Sequence, residues 1–161
     1  MLPKKGSQNI LRKNGLVKIK YRLSEEAKAN GCKFQTPRWG DSGYDIYASH
    51  PVEMFPGDQK LIPTGLFIEI PQGYTGLLQN RAIHALKQLY LFGGVVDPGF
   101  RGELKIILRN DTRKNYLIEP GQRIAQMLLL KTEPAAICIE VIEDDFSPSA
   151  RGTGNFGSTG K

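Results

Sequence analysis

The stretch Gly93-Gly94-Val95-Val96-Asp97-Pro98-Gly99-Phe100-Arg101-Gly102-Glu103 decides the fold. It sets one acid in a glycine-rich turn between two apolar runs. Leu89-Tyr90-Leu91-Phe92 precedes it and Leu104-Lys105-Ile106-Ile107-Leu108 follows it. Strand-like runs around Gly and Pro read as the arms of a hairpin. Glycine lets backbone N–H and C=O groups approach a ligand that a side chain would hold off. A flat ring with donors and acceptors can be read by such edges. A carboxylate at Asp97 can take a proton from water. The same Asp-Pro-Gly also fits an ordinary turn in which Asp97 bonds its own backbone. The remainder of the chain has to separate the two.

Working outward, the chain alternates short strands with Gly and Pro punctuation. Val17, Ile19, Tyr21 and Leu23 alternate with Lys18, Lys20 and Arg22, which predicts a half-buried strand. Ser24 is placed to cap a short helical turn through Glu25, Glu26 and Ala27, ended by Gly31. In Ser42-Gly43-Tyr44-Asp45-Ile46-Tyr47-Ala48, Asp45 falls on the face opposite Tyr44 and Ile46. A carboxylate there suits a hydrated Mg²⁺ that keeps several waters and borrows phosphate oxygens; a solvated strand aspartate fits equally. Leu61 to Pro63 and Gly65 to Ile70 read as two short strands, and Tyr74 to Leu78 as another. His84 to Leu89 is the one longer helical turn. Arg123 to Leu130 is apolar apart from Gln126 and reads as a strand buried on both faces. Regular short strands with little helix predict an all-β fold, a sandwich, barrel or jelly roll.

The 161 residues, 40% hydrophobic and 24% charged, suit one soluble globular domain with a core. No apolar run approaches the roughly 20 residues that span a bilayer, so no membrane partner is expected. Met1 to Asn14 is basic without the apolar centre of a signal peptide, which points to an intracellular protein, cytoplasmic or nuclear. Cys32 and Cys138 are far apart and read as two reduced thiols. With His50 and His84 also isolated, no zinc site is expected.

The net charge of +6 suits a polyanionic partner. No long basic run with interleaved aromatics occurs, so no dedicated nucleic-acid surface is expected; a nucleotide phosphate accounts for the surplus as well. Residues 1–15 read as a flexible basic arm, 16–146 as the β domain, and 147–161 as a mobile glycine-rich arm. That last arm carries Arg151, Phe156, Ser158 and Thr159, the parts needed to grip a phosphate and cover a ring.

Five segments taken in order resemble the five motifs of the trimeric dUTP pyrophosphatases. They are Ser42 to Ala48, Arg81 with its neighbours, Gly94 to Glu103, Gly121 to Leu129, and Arg151 to Gly160. The resemblance implies an antiparallel, jelly-roll-like β subunit in a homotrimer with active sites shared between subunits. It implies hydrolysis of dUTP to dUMP and pyrophosphate with Mg²⁺. On it, Asp97 activates the attacking water and Asp45 holds the metal through water. Gly94, Val95 and Val96 read uracil with backbone atoms, and Phe100 packs on the deoxyribose. Lys105 lies where the hairpin returns beside the base. Arg81, Ala82, Ile83 and Gln126 occupy the phosphate-side positions. Arg151, Phe156, Gly157, Ser158 and Thr159 belong to a tail that folds over bound nucleotide.

The second motif departs from the family pattern. Pro-Arg-Ser-Gly or Gly-Arg-Ser-Ser is usual, and here the chain reads Asn80-Arg81-Ala82-Ile83. A hydroxyl that would meet the phosphate is missing at Ala82, which implies a reduced rate. Phe100 stands where Tyr is usual, Asn155 where Gly is frequent, and Gln122 where an acid is common. A catalytically impaired dUTP- or dUMP-binding regulatory homologue is the alternative, and a purely structural β protein is a third. The related dCTP deaminase branch needs a glutamate near Ile107, which cannot act as acid or base.

Overall fold

A computed structural model describes residues 17–133, and the 1–15 arm and the tail from Arg151 onward lie outside them. Among the described residues, ten strands and two short helices follow one another. They are β1 Lys20–Leu23, α1 Glu25–Ala29, β2 Gly43–Tyr47, β3 Val52–Met54, β4 Gln59–Glu69, β5 Tyr74–Gln79, α2 Ala82–Leu86, β6 Leu89–Phe92, β7 Val95–Val96, β8 Glu103–Asn110, β9 Tyr116–Ile118 and β10 Arg123–Lys131. Two four-stranded sheets form in the orders β1-β4-β8-β6 and β2-β10-β5-β7, with β3-β9 as a small third. Every pairing is antiparallel. This is the expected all-β, jelly-roll-like architecture.

The two larger sheets bury one face each against a common core. Ile62, Ile106 and Leu108 enter it from the first sheet, and Ile46, Ile124 and Met127 from the second. β8 alternates buried and outward residues along its whole length, the period of two that a half-buried strand requires.

The expected hairpin forms, with an added step. β6 and β8 pair directly, Phe92 opposite Ile107. The connection between them crosses to the other sheet, where Val95 and Val96 pair with Leu77 and Gly76 of β5. Asp97 therefore stands on a bridge between the sheets. Gly94 makes the crossing feasible. Its φ is +133, and a Cβ there would lie 2.9 Å from the Leu78 carbonyl oxygen.

Four expectations are revised. The two strands read around Pro63 and Gly65 are one strand, β4, with a register shift between Pro63 and Leu66. Pro63 lacks an N–H, and the part-buried donors of Thr64 and Gly65, freed from the ladder, are taken up by Glu103 Oε1 at 3.1 and 2.9 Å. The first strand starts at Lys20, and Val17 and Tyr21 are exposed rather than half-buried. The helical turn read over 84–89 lies at Ala82–Leu86, because the backbone turns at Gln88, φ 55, into β6. β10 is buried only in its first half; Leu130 is 41% exposed in the single chain. The cap at Ser24 is as expected, with its hydroxyl accepting from Ala27 N at 3.2 Å.

Candidate active site

The bridge between the sheets walls a cavity of about 280 Å³. Gly93, Gly94, Val95 and Val96 line one side, and Lys105 and Ile107 of β8 the other, with Asp97 and Phe100 at the rim. Phe92 adds an aromatic wall. Six sequence-predicted residues, Gly94, Val95, Val96, Asp97, Phe100 and Lys105, thus share one concavity with apolar walls and exposed backbone edges.

Two acids line this cavity, and their environments differ. Glu103 is fully engaged: Oε1 accepts from the Thr64 and Gly65 amides, and Oε2 lies 3.6 Å from Lys105 Nζ. Asp97 is exposed, and its carboxylate has no hydrogen-bond or ion-pair partner among the described residues. Only its backbone carbonyl is used, accepting from Phe100 N at 3.1 Å. The turn is held instead by Arg101, whose guanidinium donates to the Pro98 and Phe100 carbonyls at 2.6 and 2.7 Å. The side chain of Asp97 takes no part in holding the turn among the described residues. Ile107 lines the same wall and offers no acid.

A second cluster forms across β2, β5 and β10. Asp45 stands opposite Gln126 in the β2–β10 register, and Gln126 stands opposite Gln79 of β5. Arg123 Nη1 lies 3.1 Å from Asp45 Oδ2, and Arg81 Nε lies 3.3 Å from Asp45 Oδ1. Arg81 also reaches the Arg123 carbonyl at 3.5 Å. Gln126 Nε2 donates to the Asn80 carbonyl at 3.2 Å, so it anchors the segment that carries Arg81. The half-buried Gln126 of β10 is thus a structural anchor for the segment after β5. Ala82 and Ile83 open α2 directly after Arg81, and Ile83 is exposed.

Arg123 is the residue sequence reasoning overlooked. It stands at the head of an apolar run and carries no local signal. Its partnership with Asp45 depends on strand register between distant segments. Glu103 lies in the quoted stretch, yet its role depends on the bulge in β4, equally invisible locally. Gln122 is a turn residue as expected: Oε1 accepts from Glu119 N at 2.9 Å and Nε2 donates to the Tyr116 hydroxyl at 2.8 Å.

Burial lowers the pKa of His84 on α2, and the nearby charges of Arg81 and Lys87 add to this; a hydrogen bond to the Ile124 carbonyl at 2.9 Å opposes it. The imidazole is held neutral beside the cluster.

A carboxylate without a partner among the described residues beside a glycine-edged cavity, and a second carboxylate between two arginines, stand on an all-β, jelly-roll-like domain. Residues 29–160 match the family described as dUTPase. The deoxyuridine 5'-triphosphate nucleotidohydrolase of Chlamydia muridarum (strain MoPn / Nigg) is 39% identical over 127 residues, covering 76% of this chain and 86% of that protein. The corresponding protein of Gloeothece citriformis (strain PCC 7424) is 40% identical over 124 residues, covering 74% and 83%. The structure of Staphylococcus bacteriophage 80alpha dUTPase with dUPNHPP superposes with a TM-score of 0.77 at 27% identity, covering 89% of this chain and 99% of that one. The chain belongs to the dUTPase family.

Proposed function

We propose that this chain hydrolyses dUTP to dUMP and pyrophosphate in a Mg²⁺-dependent reaction. Its relatives carry the name deoxyuridine 5'-triphosphate nucleotidohydrolase. One observation carries the assignment of the base: of the two acids at the cavity, Glu103 is spent on backbone amides and Asp97 has no partner among the described residues. Asp97 orients a water and takes its proton as the oxygen bonds to the α-phosphorus. The bond from that phosphorus to the bridging oxygen breaks, and pyrophosphate leaves. Such a transfer needs positioning and charge neutralisation more than covalent chemistry.

The base sits against the backbone of Gly94, Val95 and Val96, with Phe100 beneath the deoxyribose and Lys105 beside the ring. Arg81 and Gln126 serve the phosphates together with the first turn of α2 at Ala82 and Ile83. Arg151, Phe156, Gly157, Ser158 and Thr159, outside the described residues, close over the nucleotide.

Mg²⁺ fits the residues present. No group of three or more His, Cys, Asp or Glu side chains able to cage a metal occurs among the described residues. Asp45 is a single carboxylate, hydrogen-bonded by Arg123 and 3.3 Å from Arg81 Nε. The two guanidiniums oppose direct ligation of a metal, so Asp45 would hold the ion through water, with phosphate oxygens completing the site. When bound, the ion neutralises charge on the phosphates.

The Asp97 cavity and the Asp45 cluster share no lining residue within one chain. A site assembled between subunits of a homotrimer brings such clusters together, and the exposed apolar residues Leu86, Val95 and Leu130 supply surface for it.

Ala82 favours a second reading. A chain lacking a hydroxyl at the start of α2 binds nucleotide through Arg81 yet turns it over slowly, which suits an impaired nucleotide-binding regulator. Pyrophosphate release from dUTP with Mg²⁺ separates the two. Turnover selective for dUTP over dTTP and UTP supports the enzyme. Binding without turnover supports the regulator, and no binding ends both.

A further inference from the structure

A second cavity, of about 440 Å³, opens beside Asp45, between β2 and the loop that joins α1 to β2. Three cations, Lys33, Arg38 and Arg123, line it against two carboxylates, Asp41 and Asp45. Arg123 is spent on Asp45, and Arg81 meets that carboxylate from the other side. The side chains of Lys33 and Arg38 have no ion-pair or hydrogen-bond partner among the described residues. The Asp41 carboxylate also has no partner among the described residues, so the three cations exceed the two carboxylates by one and the polar lining carries a net positive charge.

The loop presents these two cations from fixed anchors. Cys32 and Phe34 flank Lys33 and are both buried. Cys32 Sγ donates to the Ala48 carbonyl at 3.3 Å, and Phe34 stacks on Tyr44 at 5.2 Å and 18°. Lys33 is left pointing outward between two pinned neighbours. Arg38 opens a tight turn, its carbonyl accepting from Asp41 N at 2.9 Å, with Gly40 at φ +94. Anchored cations lose less freedom on binding than mobile ones.

We infer that Lys33 and Arg38, with Arg123 and Asp45 behind them, form a subsite for a pyrophosphoryl group. That group is either free pyrophosphate or the terminal phosphates of the nucleotide. The inference rests on the phosphate-side reading of Asp45 and extends it to a loop outside the five motifs. A diphosphate group carries charge to match both cations and fits the volume of the cavity.

The test uses the full chain in Mg²⁺-free buffer, titrated by calorimetry with inorganic pyrophosphate, dUMP and the imido analogue dUpNHpp. In a Lys33→Ala/Arg38→Ala double variant, pyrophosphate binding weakens by about tenfold or more, since two charge-assisted contacts are lost. dUMP affinity is unchanged. A Lys33→Arg/Arg38→Lys variant, which keeps both charges, retains pyrophosphate. If dUpNHpp weakens in parallel, the subsite takes the nucleotide's own tail; if only pyrophosphate weakens, it takes the released product. Equal pyrophosphate affinity in parent and double variant overturns the inference, as does a parent that binds no pyrophosphate. Failure of dUMP alone to bind strikes the nucleotide reading and leaves the pyrophosphate comparison intact.

Discussion

Glu103 Oε1 accepts from Gly65 N at 2.9 Å, and this contact helps to join the bulge of β4 to the end of the loop that carries Asp97. The same oxygen accepts from Thr64 N, and Thr64 Oγ1 donates back to the Leu104 carbonyl. Replacing Glu103 with Ala leaves two part-buried amides without an acceptor. Loss of stability by about 1–3 kcal/mol is expected, read from the urea midpoint at unchanged slope. Glu103→Gln keeps one acceptor oxygen and should recover most of it. Equal midpoints for parent and Glu103→Ala would show that water replaces the carboxylate.

That contact also marks where local sequence signals stop. Pro63 and Gly65 punctuate β4 and made it look like two strands. Continuity depends on an acid 38 residues further on supplying what the ladder lacks. The hairpin was legible because Gly93, Gly94, Pro98 and Gly99 lie between alternating apolar runs. The crossing of β7 to the other sheet was not, since it depends on β5 lying alongside. Within the site, Asp97 and the glycine edge could be read from one stretch. Arg123 could not, because its partner Asp45 lies 78 positions away and meets it only through strand register.

Asp97→Asn keeps the shape of the rim and removes the proton acceptor. The rate of pyrophosphate release should fall by about 10² to 10⁴, the range for a positioned general base. Affinity for dUpNHpp should persist, since no side-chain contact of Asp97 supports the loop. Loss of both together would make Asp97 a structural residue.

Ala82→Ser restores a hydroxyl at the first residue of α2, where Arg81 as N-cap supplies no side-chain bond. An added donor to developing phosphate charge is expected to raise kcat by on the order of 10² to 10³. The substitution lies on the surface, so the thermal midpoint should hold. A kcat equal to that of the parent would mean that other donors already fill this place.

His84 links stability to pH. Its folded pKa is depressed, chiefly by burial, so the unfolded chain takes up a proton more readily than the native one. The native imidazole is neutral and bonded to the Ile124 carbonyl at full stability above the unfolded pKa of about 6.5. As pH falls below that value, the unfolded state gains a proton that the native state resists, and stability drops until the folded pKa is reached. Urea midpoints measured from pH 7.5 down to pH 5 should fall in the parent. In His84→Gln, which removes the titration and keeps a side-chain donor, that part of the slope should vanish. An unchanged slope would assign the pH dependence to carboxylates instead.

Gly94→Ala tests the backbone edge itself. A Cβ at φ +133 is strained in any L residue, and here it would press on the Leu78 carbonyl oxygen at 2.9 Å. Leu78 N donates to the Gly94 carbonyl at 2.7 Å, so the two strands cannot part without losing that bond. The expected result is a loss of about 1–3 kcal/mol in stability. It should come with a loss of dUMP affinity larger than that of Gly99→Ala, where a Cβ meets nothing within 4 Å. Should dUMP bind Gly94→Ala as it binds the parent, the base is not read at this edge, and the 280 Å³ cavity must be reassigned.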